Sequence, residues 1–286
     1  MATESKITDD VLAKLSERVK TKKAIPRAGE AQLPLWKEHL RGLPNAMARS
    51  ALFTCANPNA DRREYKREKI HSVAGYEIYY NGIELRQDDE DVFLQVVHFA
   101  RMHPLGDVVE ISGKALLNAL GWNGSSKSYN RLRDIIERLK EGTIKISHES
   151  GNIGYAGSLI RKFAWQTQEK SGARTKWKIF LEKEIIALFV DDAYTLLDWE
   201  DRAGLGPLAK WLHSFYYTHK QPFPYKTKTL HSLSGSKSKT MNSFRRDLRA
   251  AHDELESIGF LKSWHHDAAT DTFVVTRALK VIPTQA

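Results

Sequence analysis

A single cysteine, Cys55, stands in this chain of 286 residues. One thiol can neither close an intrachain disulfide nor build a thiolate metal cluster, which fits a reducing compartment. By itself Cys55 reads as a small buried apolar residue. No apolar run approaches the length needed to span a bilayer, so helical insertion into a membrane is excluded. Met1–Lys6 has no apolar signal core. Nor is there an excess of acid: Lys and Arg number 44 against 35 Asp and Glu, a net charge of +9. That balance favours a polyanionic partner, nucleic acid or an anionic membrane surface. Apolar residues make up 41% of the chain, and the length suits two ordinary domains.

What is present is written twice. In the first copy, Ile111-Ser112 leads into Lys114–Leu120, Gly121 and an amphipathic run from Ser128 to Glu141. Gly142 and the alternating Ile144-Lys145-Ile146 follow. The second copy begins at Thr229–Leu233, breaks at Ser234-Gly235, resumes over Lys237–Ser257 and ends in Gly259–Trp264. Leu132–Leu139 lines up with Leu248–Leu255. Internal duplication decides architecture. Short helix, turn, long helix and hairpin is the winged-helix order. The expected fold is therefore α+β, with tandem winged-helix domains behind a partly disordered N-terminal tail.

Each long run has an apolar stripe at spacings of three and four: Tyr129, Leu132, Ile136 and Leu139 in the first, Met241, Phe244, Leu248, Ala251, Leu255 and Ile258 in the second. The opposite faces carry Lys127, Asn130, Arg131, Asp134 and Arg138, and Lys239, Asn242, Arg246, Arg249 and Asp253, with Arg245 beside the latter set. One such helix alone is equally an amphipathic helix with a solvated face. Two copies, each with Asn and Arg near its start, favour recognition helices, because Arg and Asn pair bidentately with guanine and adenine edges.

Residues 1–70 read as a tail and linker, 71–190 as the first winged-helix domain and 191–286 as the second. In the tail, Thr8 precedes a short helical run at Val11–Leu15, and Lys20, Lys22, Lys23 and Arg27 have no apolar stripe beside them. Asp61–Lys69 is a mixed-charge run, expected as a solvated helix face or linker. Asn81-Gly82, between Gly75–Tyr80 and Ile83–Leu85, predicts a hairpin turn. Asp88–Asp91 opens an apolar helix with acids at the positive end of its dipole. The first wing is expected to be long, with a glycine-rich tip at Ser150–Gly154, a returning strand through Leu159–Trp165 and a third strand over Thr175–Leu181. Arg161, Lys162, Lys176 and Lys178 on or beside it suit phosphate contacts, or simply face water.

Two catalytic readings fail on local grounds. Gly121–Ser128 nearly matches a phosphate-binding loop, but Ser126 stands where the second glycine belongs and a helix, not a strand, precedes it. His265-His266 with Tyr216-Tyr217 or Tyr79-Tyr80 invites a metal-dependent tyrosine nicking enzyme, yet adjacent histidines on a strand point to opposite faces. No enzyme, metal or cofactor is expected. A tandem winged-helix transcriptional repressor would share the DNA-binding features.

Over nearly its whole length the chain resembles the TrfA family of plasmid replication initiators, on Gln32–Asn45, Gly121–Arg131 and Ser236–Asp247. The resemblance implies binding to repeated origin sequences (iterons), opening of an AT-rich region and binding of the single strand there. It also implies recruitment of replicative helicase, host initiator and sliding clamp, an inactive dimer with an active monomer, and residence in the bacterial cytoplasm with no membrane partner. Gln32-Leu33-Pro34-Leu35-Trp36 is similar to the clamp-docking motif Gln-Leu-x-Leu-Phe, with Trp36 in place of Phe. Gln32, Leu33, Leu35 and Trp36 are the residues so implied, the alternative being a staple packed on the protein's own surface.

Overall fold

The computed structural model describes residues 31–57, 60–106, 108–148, 154–166, 176–190 and 193–278. The short helix at Val11–Leu15, the cations Lys20–Arg27 and most of the glycine-rich tip at 150–153 lie outside them.

The chain enters through β1 (Leu40–Pro44), α1 (Asn45–Ala48) and β2 (Phe53–Thr54), then forms a hairpin of β3 (Glu64–Ile70) and β4 (Tyr76–Ile83) and a short β5 (Leu85–Arg86). The first winged-helix unit has α2 (Gln87–Ala100), β6 (Val108–Ser112), α3 (Gly113–Ala119) and α4 (Ser126–Glu141). After them come β7 (Thr143–His148), β8 (Gly154–Ser158), β9 (Lys162–Gln166) and β10 (Lys176–Phe180). A 3-10 turn at Lys183–Leu188 leads to β11 (Tyr194–Asp198) and α5 (Trp199–Ala203). The second unit has α6 (Pro207–Tyr217), β12 (Tyr225–Lys226), α7 (Thr227–Ser234), α8 (Met241–Ser257), β13 (Leu261–Asp267) and β14 (Thr272–Arg277).

The duplication is visible in the sheets. In the first unit the strand order is β6-β10-β9, and in the second β12-β14-β13, both antiparallel. Each unit thus runs helix, strand, helix, helix and two-stranded wing. The stripes bury as their spacing requires: Leu132, Ile135, Ile136 and Leu139 in α4, Phe244, Leu248, Ala251, His252 and Leu255 in α8. Ser125 Oγ accepts from the Ser128 amide (3.3 Å) to start α4, and Thr240 Oγ1 accepts from the Ser243 amide (3.1 Å) to start α8.

Three expectations are corrected. The first wing is only the last two of the three expected strands, β9–β10; the strand at Ile144–Ile146 pairs instead with β8, in a hairpin inserted between α4 and the wing. That hairpin extends β3–β4 into a separate sheet ordered β3-β4-β7-β8. Asp61–Lys69 supplies the edge strand β3 rather than a helix or linker; its charged side chains face water while Ile70 is buried. Asn81-Gly82 is no turn: β4 runs straight through it. A Cβ at Gly82, whose φ is +139°, would lie 2.9 Å from the Cα of Gly142, so the glycine serves a close approach between β4 and the end of α4.

Nor are residues 31–70 a tail in this part of the chain. β1 pairs antiparallel with β11, the strand that joins the two units. Trp211 Nε1 donates to the Ser50 carbonyl (3.1 Å), and Arg49 Nε donates to Thr218 Oγ1 (2.8 Å). The segment is the brace between the units. An alternation-free, proline-punctuated stretch gives no periodic signal, because its partners lie more than a hundred residues away.

The units themselves meet through their first helices. Arg202, at the end of α5, is fully buried, and all five of its N–H groups are taken. Nε donates to Asp91 (2.7 Å), and one terminal nitrogen to Glu90 (2.8 Å) and Gln87 (2.9 Å). The other donates to Ser214 Oγ (2.7 Å) and the Lys210 carbonyl (3.0 Å). Lys210 also reaches Asp91. Removing one partner of a buried pair strands the other charge. Arg202→Ala should lower unfolding free energy by about 3–5 kcal/mol in a urea titration; a loss below about 1 kcal/mol would refute the role given to this contact.

A second stability test concerns pH. His252 is buried in α8, with Nδ1 donating to the Leu248 carbonyl (2.7 Å) and Nε2 accepting from the Tyr216 hydroxyl (2.9 Å). Burial pushes its pKa down to about 4. The unfolded ring, at about 6.5, binds a proton that the folded ring refuses, so stability is full above pH 6.5 and falls towards pH 4. Between pH 7.5 and 5 this ring should account for about 2 kcal/mol of lost stability. Urea titrations of His252→Gln should show a correspondingly smaller pH effect.

Candidate nucleic-acid interface

α8 presents its polar face as the sequence predicts, but the arginines along it are not alike. Arg246 is 77% exposed and, among the described residues, bonds to its neighbours Asp247 (3.1 Å) and Ser243 (3.4 Å). Arg249, Asn242 and Lys239 are exposed as well. Arg245 differs. Its side chain is 26% exposed, and it donates from Nε and a terminal nitrogen to the two oxygens of Asp271, both at 2.8 Å. This carboxylate lies at the turn between β13 and β14. The Arg245 guanidinium, then Thr227 and His266, hold it well below the usual carboxylate range against a small burial cost. Arg245 is therefore a strut between helix and wing, not a free reading group.

In the first unit the contrast is sharper. Lys127 and Asn130 are exposed at the start of α4. Arg131, 46% exposed, stacks over Trp122 (4.2 Å) and donates to Asp88 (3.1 Å). Arg138, 18% exposed, is bound to the fully buried Asp89 (2.9 Å), and leaves the reading set. The acids Asp88 and Asp89, expected only to complement the α2 dipole, are the partners of Arg131 and Arg138 respectively, and both bind Arg62. Burial raises the pKa of Asp89, as does the charge of Asp88, against the opposing pull of Arg138 and Arg62. Asp88, although burial opposes it, is lowered by Arg62 and Arg131. No spacing rule would have found these pairs, since the acids precede Arg131 and Arg138 by more than forty residues.

On the first wing, Arg161 and Lys176 are exposed and Lys178 is half-buried, with loose contacts to Glu182 (3.6 Å) and Glu110 (3.8 and 3.2 Å). Exposed ion pairs of this kind contribute little and open readily to a phosphate. Trp165, on β9, is half exposed, with the Arg133 guanidinium 5.4 Å from its ring. Sequence reasoning named neither as a site residue.

The implied clamp peptide is built into the fold. Leu33 and Trp36 are buried. The indole lies on Gly42, where a Cβ would come within 2.9 Å of the ring, and its Nε1 donates to His98 Nδ1 (3.1 Å). It packs beside Phe189 and Tyr194 (centroids at 6.3 and 6.2 Å). Gln32 donates to the Arg101 carbonyl (3.1 Å), and only Leu35, 52% exposed, points to solvent. In this conformation the motif's anchor ring is core, as the staple alternative has it.

The residues weighed for nicking are not assembled. His265 is exposed and His266 turned in towards Asp271, on opposite faces of β13; Tyr216 is fully buried against His252. Among the described residues no three His, Cys, Asp or Glu side chains converge on a possible metal site. Gly121–Ser125 is the turn between α3 and α4. Among the described residues no helix is long and apolar enough to cross a membrane.

Comparison with known proteins bears on this geometry. A crystal structure of domains 2 and 3 of RctB is similar with a TM-score of 0.57 at 13% identity, covering 82% of this chain and 98% of that one. A second structure of RctB domains 2–3 gives 0.50 at 14%, covering 74% and 82%. Those likenesses concern the fold alone. In sequence, the plasmid replication initiator protein TrfA of Escherichia coli is 28% identical over 235 residues, 81% of this chain. The chain spans 61% of that relative's length. The family model described as TrfA protein matches residues 10–273. With nearly all of both winged-helix units inside that match, this chain belongs to the TrfA family.

Proposed function

We propose that this protein is a plasmid replication initiator that binds iteron repeats of an origin sequence-specifically, with no catalytic step of its own. The observation that carries the reading is the solvent-facing side of α8, where Arg246, Arg249 and Asn242 stand free of buried acids beside a wing. Such a helix fits the major groove, where arginine pairs bidentately with guanine. Lys127 and Asn130 of α4, with Arg161, Lys176 and Lys178 of the first wing, supply the contacts that hold the duplex by its phosphates. Family membership supports the finer parts of the proposal: opening of the AT-rich region, binding of the exposed strand, recruitment of helicase, host initiator and clamp, and self-association with the monomer active.

A transcriptional repressor would use the same two units. Origin-dependent replication separates the readings: a repressor binds the repeats without supporting replication of a plasmid that carries them.

In a binding titration, Arg246→Ala should lose about 1–3 kcal/mol of affinity for the origin repeat and relax preference at one base pair. Unchanged affinity and preference would show that α8 is not the reader. Lys176→Ala should instead weaken every duplex alike and flatten the dependence of binding on salt, by about one unit of slope at most.

Clamp docking through Gln32–Trp36 requires that segment to leave its seat. Leu35→Ala should reduce recovery of the clamp in a pull-down while leaving thermal unfolding unchanged; equal recovery by the two proteins would remove the assignment.

A further inference from the structure

One carboxylate on the second wing reaches two of the groups offered to bases. Asp271 occupies the turn between β13 and β14 with φ of +53°, a left-handed conformation that a non-glycine residue adopts at some cost. Its Oδ1 accepts from Arg245 Nε (2.8 Å), His266 Nε2 (2.9 Å) and Thr227 Oγ1 (2.7 Å), and its Oδ2 from Arg245 (2.8 Å). The Thr227 amide donates to its carbonyl (2.9 Å). The turn is thus tied to the starts of both helices of the helix-turn-helix.

Two branches lead outward. In one, the remaining terminal nitrogen of Arg245 donates to Asn242 Oδ1 (2.7 Å). A guanidinium has no acceptor, so only the oxygen of the amide can face it, and the Asn242 N–H groups are turned the other way. In the other, His266 lies between Asp271, which only accepts, and Arg249, which only donates, to Nδ1 at 3.2 Å. That arrangement puts the ring hydrogen on Nε2 and the lone pair on Nδ1. The ring is held flat against Phe273, centroids 4.6 Å apart and planes at 27°.

We propose that Asp271 and His266 are positioning residues for sequence readout, setting the Asn242 amide and the Arg249 guanidinium from the wing before DNA arrives. The proposal rests on the reading of α8 as the recognition helix. Rotamer-rich side chains lose freedom on binding, and fixing them beforehand lowers that cost. It also gives Asn242 a direction. With its oxygen occupied by Arg245, the amide offers donors, which suit the O6 and N7 acceptors of guanine better than the mixed edge of adenine that a free asparagine prefers.

The test is a double-mutant cycle on the full chain, by anisotropy titration with labelled duplexes: an origin repeat, its single-base variants and a scrambled sequence. His266→Ala should weaken binding to the repeat by roughly 3- to 10-fold and leave the scrambled duplex unaffected. In an Arg249→Ala background the same change should have no further effect. His266→Gln, whose amide can accept from Arg249 and donate to Asp271, should recover most of the loss, which excludes a mere failure to fold. Asp271→Asn should alter preference at the base pair under Asn242. Additive effects of His266→Ala and Arg249→Ala, or equal weakening on repeat and scrambled duplexes, overturn the proposal. If Arg246→Ala in the same assay leaves sequence preference unchanged, it is the α8 reading itself that falls.

Discussion

Arg202 draws its acceptors from both winged-helix units: Gln87, Glu90 and Asp91 on the first helix of one, Ser214 and a carbonyl on the first helix of the other. Burying three charges costs several kcal/mol per ion, and their attraction recovers that only when every donor and acceptor is matched. Here the guanidinium has no unused N–H. The match has little tolerance for rotation, because a planar fork of five donors fits one arrangement of oxygens. Apolar contact between α2 and α6 would hold the units together at many angles; Arg202 selects one. Burial raises the pKa of Glu90, the nearby charge of Asp91 adds to it, and Arg202 opposes both. The acid stays useful only while the arginine is in place.

The acidic start of α2 faces two ways. Glu90 and Asp91 turn to the second unit, while Asp88 and Asp89 take Arg131, Arg138 and Arg62 on the other side. Four successive residues on a helix sweep most of a turn, so one short run can serve both interfaces. The consequence is an unequal division between the duplicated units. In the first, two guanidinium groups of α4 are spent on holding it against α2. In the second, the positions that match Arg131 and Arg138 are Asp247 and Glu254, while Arg246 and Arg249 stand elsewhere on the helix and remain at the surface. Duplication preserved the fold but not the charge pattern on the long helices, and in the first copy the acids of α2 take up two of the arginines.

That difference also marks how far residues alone could be read. The helix-turn-helix repeats were legible because their signals are local: stripes at spacings of three and four, and the break at Ser234-Gly235, where Gly235 takes a left-handed turn. The hairpin that closes the second copy was legible for the same reason. What could not be read was long-range. β1 finds its partner in β11, β3 is a strand only because β4 lies beside it, and Gly82 is spaced for Gly142. The arginines of α4 and α8 look interchangeable in one dimension. Whether each holds or reads depends on Asp88, Asp89 and Asp271, which no helical period connects to them.

The N-terminal segment shows what such long-range pairing means for partners. Trp36 sits on Gly42 of β1 and against Phe189 and Tyr194, which flank the passage from one unit to the next. Any protein that takes up Trp36 as a docking ring takes it out of that joint. Removing a buried Trp from a core costs about 3–5 kcal/mol, so a docking peptide seated this way has its apparent affinity weakened by roughly 10² to 10⁴ against the same peptide free in solution. Since β1–β11 pairing and the Trp36 seat brace the units that carry α4 and α8, occupying that peptide and fixing the angle between the units compete for one set of contacts. By linkage, a duplex that demands the braced angle and a partner that demands the peptide would each weaken the other's binding by the same factor.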